Sequence, residues 1–240
     1  MKNIIVESIE KPQYFGRDLE AMSFATNYHN WIADEFKPYL GNNVAEIGAG
    51  TGNFSKLLIE STKKIVAFEP SENMFPQLQE QLREYKSITK INNYFVDEYL
   101  KYKEHFDSVV YVNVLEHIEG DEKELSCAYS GLKKGGHILI FAPALSYLYS
   151  DFDRKVGHYR RYHKKDLIMI VKRAGFKIVD VRYLDFIGIL PWYVALVLLA
   201  KTLSAEKVSL YDTLVIPIVR KIESIITFPI GKNILLIAQK

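Results

Sequence analysis

The chain has one cysteine, Cys127, in 240 residues, which excludes intramolecular disulfides and cysteine-built zinc sites. Cys127 falls in a stretch of helical pattern and reads as a small core residue. An excess of charge of one sign is also missing. The 31 Lys and Arg against 29 Asp and Glu leave a formal charge of +2, too balanced for a dedicated nucleic-acid binder, whose basic face dominates the count. No N/D-P-P-Y/F tetrapeptide, the clamp for a flipped base amine, follows the fourth predicted strand. No apolar run reaches the roughly 20 residues that a membrane-spanning helix needs. The longest, Phe186–Ala200, is interrupted by Pro191 and closed by Asp185 and Lys201. The N-terminus lacks an apolar core flanked by basic residues, so no secretory signal is read and the expected compartment is the cytoplasm. Internal repeats, low-complexity tracts and Pro-rich linkers are absent.

What is present is an alternation of strands and helices, the pattern of an α/β sheet covered on both faces. Strands are predicted at Asn43–Ile47, Lys64–Phe68, Ile88–Phe95, Asp107–Val112, His137–Phe141, Phe176–Tyr183 and Asn233–Gln239. Helices are expected over Asp18–Tyr39, from Thr51, over Asn73–Tyr85, Asp121–Leu132 and Lys165–Ala174. The last of these stops at Gly175, a C′ glycine. The length suits one domain: a helical cap over 1–41, a half carrying the glycine-rich turn over 42–143, and a lid with apolar helices and the last strands over 144–240.

The densest signal is Val44-Ala45-Glu46-Ile47-Gly48-Ala49-Gly50-Thr51-Gly52-Asn53-Phe54-Ser55. A buried strand breaks into alternate glycines and opens a helix, and such a turn lets a ligand approach backbone N–H groups that a Cβ would shield. The dinucleotide fingerprint G-x-G-x-x-G requires glycine at position 53, where Asn53 stands. E-x-G-x-G-x-G instead resembles motif I of the class I S-adenosylmethionine (SAM) methyltransferases. The resemblance implies that Glu46 holds the ammonium of the methionine moiety and that Gly48, Ala49, Gly50 and Gly52 pass beneath the cofactor.

Further segments fall in the order of that family. Glu69 ends the second strand before Pro70, and its carboxylate offers two acceptors for ribose hydroxyls. Asp97 stands where many members set a carboxylate against the adenine amino group, with Glu98 as the register-shifted competitor. Asn113-Val114-Leu115-Glu116-His117-Ile118 resembles the segment after strand four, which the resemblance turns toward the methionine part of the cofactor (Asn113) and the acceptor (His117). Leu132-Lys133-Lys134-Gly135-Gly136 matches the turn before strand five. The implied fold is a doubly wound, mostly parallel seven-stranded Rossmann-like sheet with helical N- and C-terminal additions. The implied cofactor is SAM, with S-adenosylhomocysteine (SAH) as product.

Acceptor information sits in the long non-periodic stretch Ser146–Lys165. Gly157-His158-Tyr159-Arg160-Arg161-Tyr162 resembles a segment of one subgroup, whose genes often accompany those of glycan and lipid assembly; that is an association and not a mechanism. Two readings stay open. Lys155, His158, Arg160 and Arg161 can bind an anionic acceptor beside Tyr159 and Tyr162, or the arginines tie the loop to Asp151 or Asp153. Asp151-x-Asp153 lacks a third ligand, so no metal site is expected. His117 and His158 are the candidates for a general base. Tyr28, with Tyr14 and Trp31, precedes the sheet and is an acceptor-side candidate. The apolar 186–200 run and the helical spacing of Leu210, Leu214, Val215, Ile218, Ile222 and Ile225, kinked at Pro217, suit core packing, an apolar lid, a dimer interface or shallow membrane contact.

The expected function is SAM-dependent methyl transfer to an O, N or C nucleophile of a small-molecule, glycan- or lipid-linked acceptor. The alternatives are a methyltransferase-like scaffold without turnover and, with Asn53 and Glu46 against it, an NAD-dependent oxidoreductase.

Overall fold

The computed structural model describes residues 25–199 and 205–240. Tyr14, the beginning of the N-terminal helical stretch and Ala200 at the end of the apolar run lie outside the described residues. Seven strands form one sheet: β1 (Asn43–Ile47), β2 (Lys64–Phe68), β3 (Ile88–Ile91), β4 (Phe106–Val112), β5 (Leu132–Pro143), β6 (Lys177–Leu184) and β7 (Asn233–Gln239). Their order is β3-β2-β1-β4-β5-β7-β6. The first five are parallel, and β7 runs antiparallel between β5 and β6.

Strand β1 is apolar on both faces because both are covered. Ala45 and Ile47 join the core beneath the helices Asp121–Gly131 and Lys164–Arg173, and Val44 joins that beneath Thr26–Phe36 and Asn53–Ile59. Chain order reverses at β1 and β4, so a crevice opens beyond their carboxyl ends.

Several boundaries differ from the sequence reading. Strand β3 ends at Ile91, and Phe95 opens a short helix, Phe95–Glu98. The Asn93 side-chain oxygen accepts the Tyr94 N–H (2.9 Å), a local turn that competes with extension of the strand. The following helical turn seats Phe95 edge-on to Phe68, with ring centroids 5.1 Å apart. The helix expected from Thr51 starts at Asn53, because Gly52 has φ 88°. Strand β5 begins at Leu132, paired with Phe106 before a register shift. The kink expected at Pro217 is a break at Val215 between the helices Ala205–Leu214 and Ile216–Glu223, with Pro217 in the first turn of the second. The 186–200 run forms a short helix, Ile189–Trp192, followed by a π-helical turn, Tyr193–Leu198. Among the described residues, no helix is long and apolar enough to cross a membrane.

The helix Thr26–Phe36 begins at Ala25, which has no side chain to cap it. Asp212, buried and remote in sequence, accepts the N–H groups of Asn27 (2.9 Å) and Tyr28 (2.8 Å). A carboxylate at a helix N-terminus satisfies orphan donors and opposes the helix dipole. Asp212→Ala is expected to cost about 1–2 kcal/mol, as loss of an N-cap does. A thermal melt should then fall by roughly 2–8 °C.

Candidate functional site

A cavity of about 560 Å³ lies beyond the carboxyl ends of β1, β2 and β4. Its cofactor-side wall is built by the turn after β1. Gly48 and Gly50 have φ of 68° and 56°, a conformation that costs an L-residue roughly 1–2 kcal/mol. A Cβ on Gly48 would lie 2.6 Å from Val114 Cγ2, so the turn can pass under the post-β4 segment only as glycine. Gly52 is outside the cavity wall; a Cβ there would stand 2.9 Å from Leu78 Cδ1, and its role is to dock the next helix.

Two buried carboxylates face this turn. Glu69 accepts the N–H of Gly50 at one oxygen and that of Ser71 at the other, both at 2.8 Å. Each oxygen retains a lone pair for a ligand hydroxyl. Glu46 accepts the Ser55 hydroxyl. Burial pushes the Glu46 carboxyl up to about 8; the Ser55 hydrogen bond opposes the rise and the Glu69 charge adds to it. A buried acid at a cavity wall, with no cation paired to it among the described residues, suits a ligand that brings its own positive charge. Pro70, Ala49 and Asn113 also line the wall. Asn113 adopts φ 53° and donates its N–H to the Phe141 carbonyl at 2.8 Å. Asp97 is not brought in: it is exposed on the Phe95–Glu98 helix, and the wall there is Asn93, Tyr94 and Phe95.

The opposite end is closed by the long segment after β5. Asp153, fully buried, accepts from the Ser150 N–H (2.9 Å) and hydroxyl (3.0 Å), from His158 Nδ1 (2.8 Å) and from Arg161 Nε (2.8 Å). Burial alone would raise its pKa; these partners, His158 and Arg161 foremost, hold the carboxyl below its usual value. Arg161 lies over the Trp192 ring, 4.5 Å from its centroid, and one of its terminal nitrogens is buried with no hydrogen-bond partner among the described residues. Arg160 is turned away from the cavity, held by Asp121 (2.6 Å) and the Glu119 carbonyl (2.8 Å). Both arginines are ion-paired: Arg161 meets Asp153, as the tying reading expects, whereas Arg160 meets Asp121 rather than Asp151 or Asp153. Tyr162 is buried and donates to Asp121 at 2.8 Å. Tyr159 reaches the cavity mouth, half exposed, and Lys155 lines it. Asp151 is exposed and paired with Arg154, so Asp151 and Asp153 do not form a pair.

His117 and His158 line the same end, their rings 4.5 Å apart and nearly perpendicular. Burial, with the neighbouring His158, lowers the His117 pKa to about 3, which keeps it neutral at physiological pH. Glu116 is fully buried, and burial raises its carboxyl to about 7 against the pull of His158 and Arg161.

The sequence reading missed Trp192, Lys232 and Asn233, which line the cavity beside Tyr28. Lys232 Nζ lies 2.7 Å from Asp185 Oδ2 and 5.3–5.6 Å from the ring centroids of Tyr28, Trp192 and Tyr211. Asn233 donates to the Tyr28 hydroxyl. A Lys-Asn pair opening a terminal strand carries no local signature, and only the fold brings it to the crevice.

A family profile described as a methyltransferase domain matches residues 22–181, two thirds of the chain. The chain belongs to the methyltransferase domain family. An uncharacterized methyltransferase of Bacillus mycoides is 27% identical to it over 144 residues, 59% of this chain and 65% of that protein. The chain therefore spans just under two thirds of that relative. This methyltransferase-domain chain is similar in fold to a SAM-dependent methyltransferase from Archaeoglobus fulgidus, with a TM-score of 0.59, 20% identity, and coverage of 94% of this chain and 95% of that one. It is also similar to the 1,6-didemethyltoxoflavin-N1-methyltransferase of Burkholderia thailandensis, whose structure holds its substrate and SAH. There the TM-score is 0.60 and the identity 14%, over 93% of this chain and 81% of that one. The matched span includes the glycine-rich turn that walls the cavity.

Proposed function

We propose that this chain, acting as one domain, carries out SAM-dependent methyl transfer to an O, N or C nucleophile of a small-molecule, glycan- or lipid-linked acceptor. One observation carries the reading: Glu46 and Glu69, both buried, face the same glycine-walled cavity from adjacent parallel strands. Glu46 supplies counter-charge to an ammonium, Glu69 supplies acceptors to a ribose, and the turn at Gly48 and Gly50 leaves room for both. Bound SAM would supply a methyl group on a sulfonium, already activated for displacement.

What the chain adds is alignment and exclusion of water, and holding two reactants in line is worth on the order of 7–11 kcal/mol of barrier. The acceptor enters between Tyr28, Trp192, Lys232 and the Tyr159 mouth, with His117 and His158, the sequence candidates for a general base, at its inner end. An apolar carrier is favoured because, among the described residues, most exposed large apolar side chains lie between Phe186 and Ile230, the stretch that includes Trp192. That surface also suits shallow contact with a membrane or with a second copy of the chain.

Calorimetric titration tests the reading. Micromolar SAH and SAM binding is expected, weakened at least ten-fold by Glu69→Ala. Acceptors bearing an apolar tail should turn over faster than their isolated head groups. Folded protein that binds neither SAM nor SAH would leave a scaffold, and binding of NAD(H) would point to an oxidoreductase.

A further inference from the structure

Glu116 has a feature that methyl transfer does not use. Among the described residues, neither of its buried carboxylate oxygens accepts a hydrogen bond from another residue, and the residue has no exposed surface. Leaving such a group unmatched costs free energy, and native interiors rarely do so. His158 faces it, with Nε2 3.8 Å from Oε1. His158 in turn is held at Nδ1 by the Asp153 carboxylate (2.8 Å), so its Nε2 is aimed at Glu116. A carboxylate gripping one imidazole nitrogen while the other faces a ligand position is the supporting arrangement of metal-binding histidines. His117 completes the group, its ring held by a hydrogen bond to the Gly157 backbone and set edge-on to His158. One ligand atom from each of Glu116, His117 and His158 can be chosen so that all lie within 4.8 Å of one another.

The geometry points to a divalent transition-metal site at Glu116, His117 and His158, on the acceptor-side floor of the cavity. Donors around a tetrahedral ion with bonds of about 2.0–2.2 Å stand roughly 3.4 Å apart, a closure within reach of side-chain rotation. Two imidazoles and one carboxylate, with positions left open, suit Zn²⁺, Fe²⁺ or Mn²⁺ rather than Mg²⁺ or Ca²⁺, which prefer oxygen ligands throughout. Charge agrees. Metal binding would displace the Glu116 proton; Glu116 and Asp153 against Arg161 then leave one net negative charge, which a divalent ion turns to one positive charge facing the cavity. Both histidines line that cavity, so the open positions face an entering ligand. Use of the ion to hold an acceptor oxygen rests on the methyl-transfer reading; the binding of metal does not. The site revises the sequence expectation of no metal. A sequence reader has no reason to join Glu116-His117 with a histidine 41 residues later, because the spacing matches no metal motif.

Tag-free full-length protein is stripped with EDTA, dialysed and titrated with Co²⁺, whose visible spectrum reports imidazole and carboxylate coordination, and then with Zn²⁺ by calorimetry. The expected result is one ion per chain with micromolar or tighter affinity. Glu116→Gln should weaken it at least 100-fold. His158→Asn, whose amide still donates to Asp153, should weaken it at least ten-fold. Thermal melts and SAH titration report whether each variant folds, and if Glu116→Gln does not, His158→Asn decides. Wild-type protein that binds SAH but takes up no stoichiometric Co²⁺ or Zn²⁺ overturns the proposal and leaves a buried His158–Glu116 contact. Metal binding without SAH binding would instead sink the methyl-transfer reading alone.

Discussion

Binding of SAH is expected to tighten about 50-fold between pH 6 and 8, and Glu46→Gln to flatten that slope. Buried beside the Glu69 charge, with only the Ser55 hydroxyl among the described residues to stabilise its anion, Glu46 titrates at about 8 in the free protein. Below that pH it is a neutral acid. An ammonium ligand needs the carboxylate, so binding at pH 6 must first expel a proton. With a pKa of about 8, those two units of pH give about a 50-fold change in affinity, or roughly 2.3 kcal/mol. Calorimetry in buffers of different ionisation enthalpy should count close to one proton released at pH 6–7. A flat affinity with no proton release would mean that Glu46 is already ionised or is not the counter-ion. The same shift sets the sign for stability. A carboxyl whose pKa is raised on folding binds more protons folded than unfolded between about pH 4.5 and 8, so its contribution to the free protein falls as pH rises through that window.

The second large effect is structural. Asp153→Ala is expected to destabilise the protein by about 3–5 kcal/mol, because it leaves the Arg161 guanidinium buried without its counter-charge. The loss extends beyond one ion pair. Ser150 caps the helix Asp151–Lys155 in a reciprocal arrangement with Asp153, and His158 takes its orientation from the same carboxylate. For a chain of this size a melting point lower by on the order of 10 °C follows. Thermal unfolding followed by circular dichroism checks it; a fall below about 2 °C would show that water or a shifted partner solvates the arginine. Asp151→Ala, on the exposed pair with Arg154, should change the melt little, since such pairs contribute about 0–1 kcal/mol.

The cofactor side was legible in sequence because its determinants are local. Glu46, Gly48 and Gly50 lie within five residues, and Glu69 stands at the end of the strand paired with β1. A strand that must be apolar on both faces announces itself, as Asn43–Ile47 and Asn233–Gln239 do with their predicted limits. Asp97 failed as a wall residue because Asn92 and Asn93 end β3 early, and a shift of that size rotates every later side chain. The acceptor side was read in part. The segment 146–165 was found by its length and composition, but a pattern of arginines does not say which aspartates they meet. Arg160 meets Asp121, and Arg161 meets Asp153. Lys232 and Trp192 become neighbours only through tertiary packing, with no periodicity to mark them.

Strand β7 lies between β5 and β6, and this constrains the order in which the protein can be built. When Leu184 has been synthesised, β6 has no neighbour, and β5 exposes the backbone edge that β7 will cover. About fifty residues must follow before the missing strand exists, on the order of 3–11 s at typical elongation rates. For that interval the nascent chain carries two open edges and the apolar 186–230 segment together, the combination most prone to mispairing with another chain. Chaperone demand during synthesis should therefore concentrate in this window. Slowing translation after codon 184 would lengthen the exposure, whereas slowing it earlier, while β1–β5 assemble, would not.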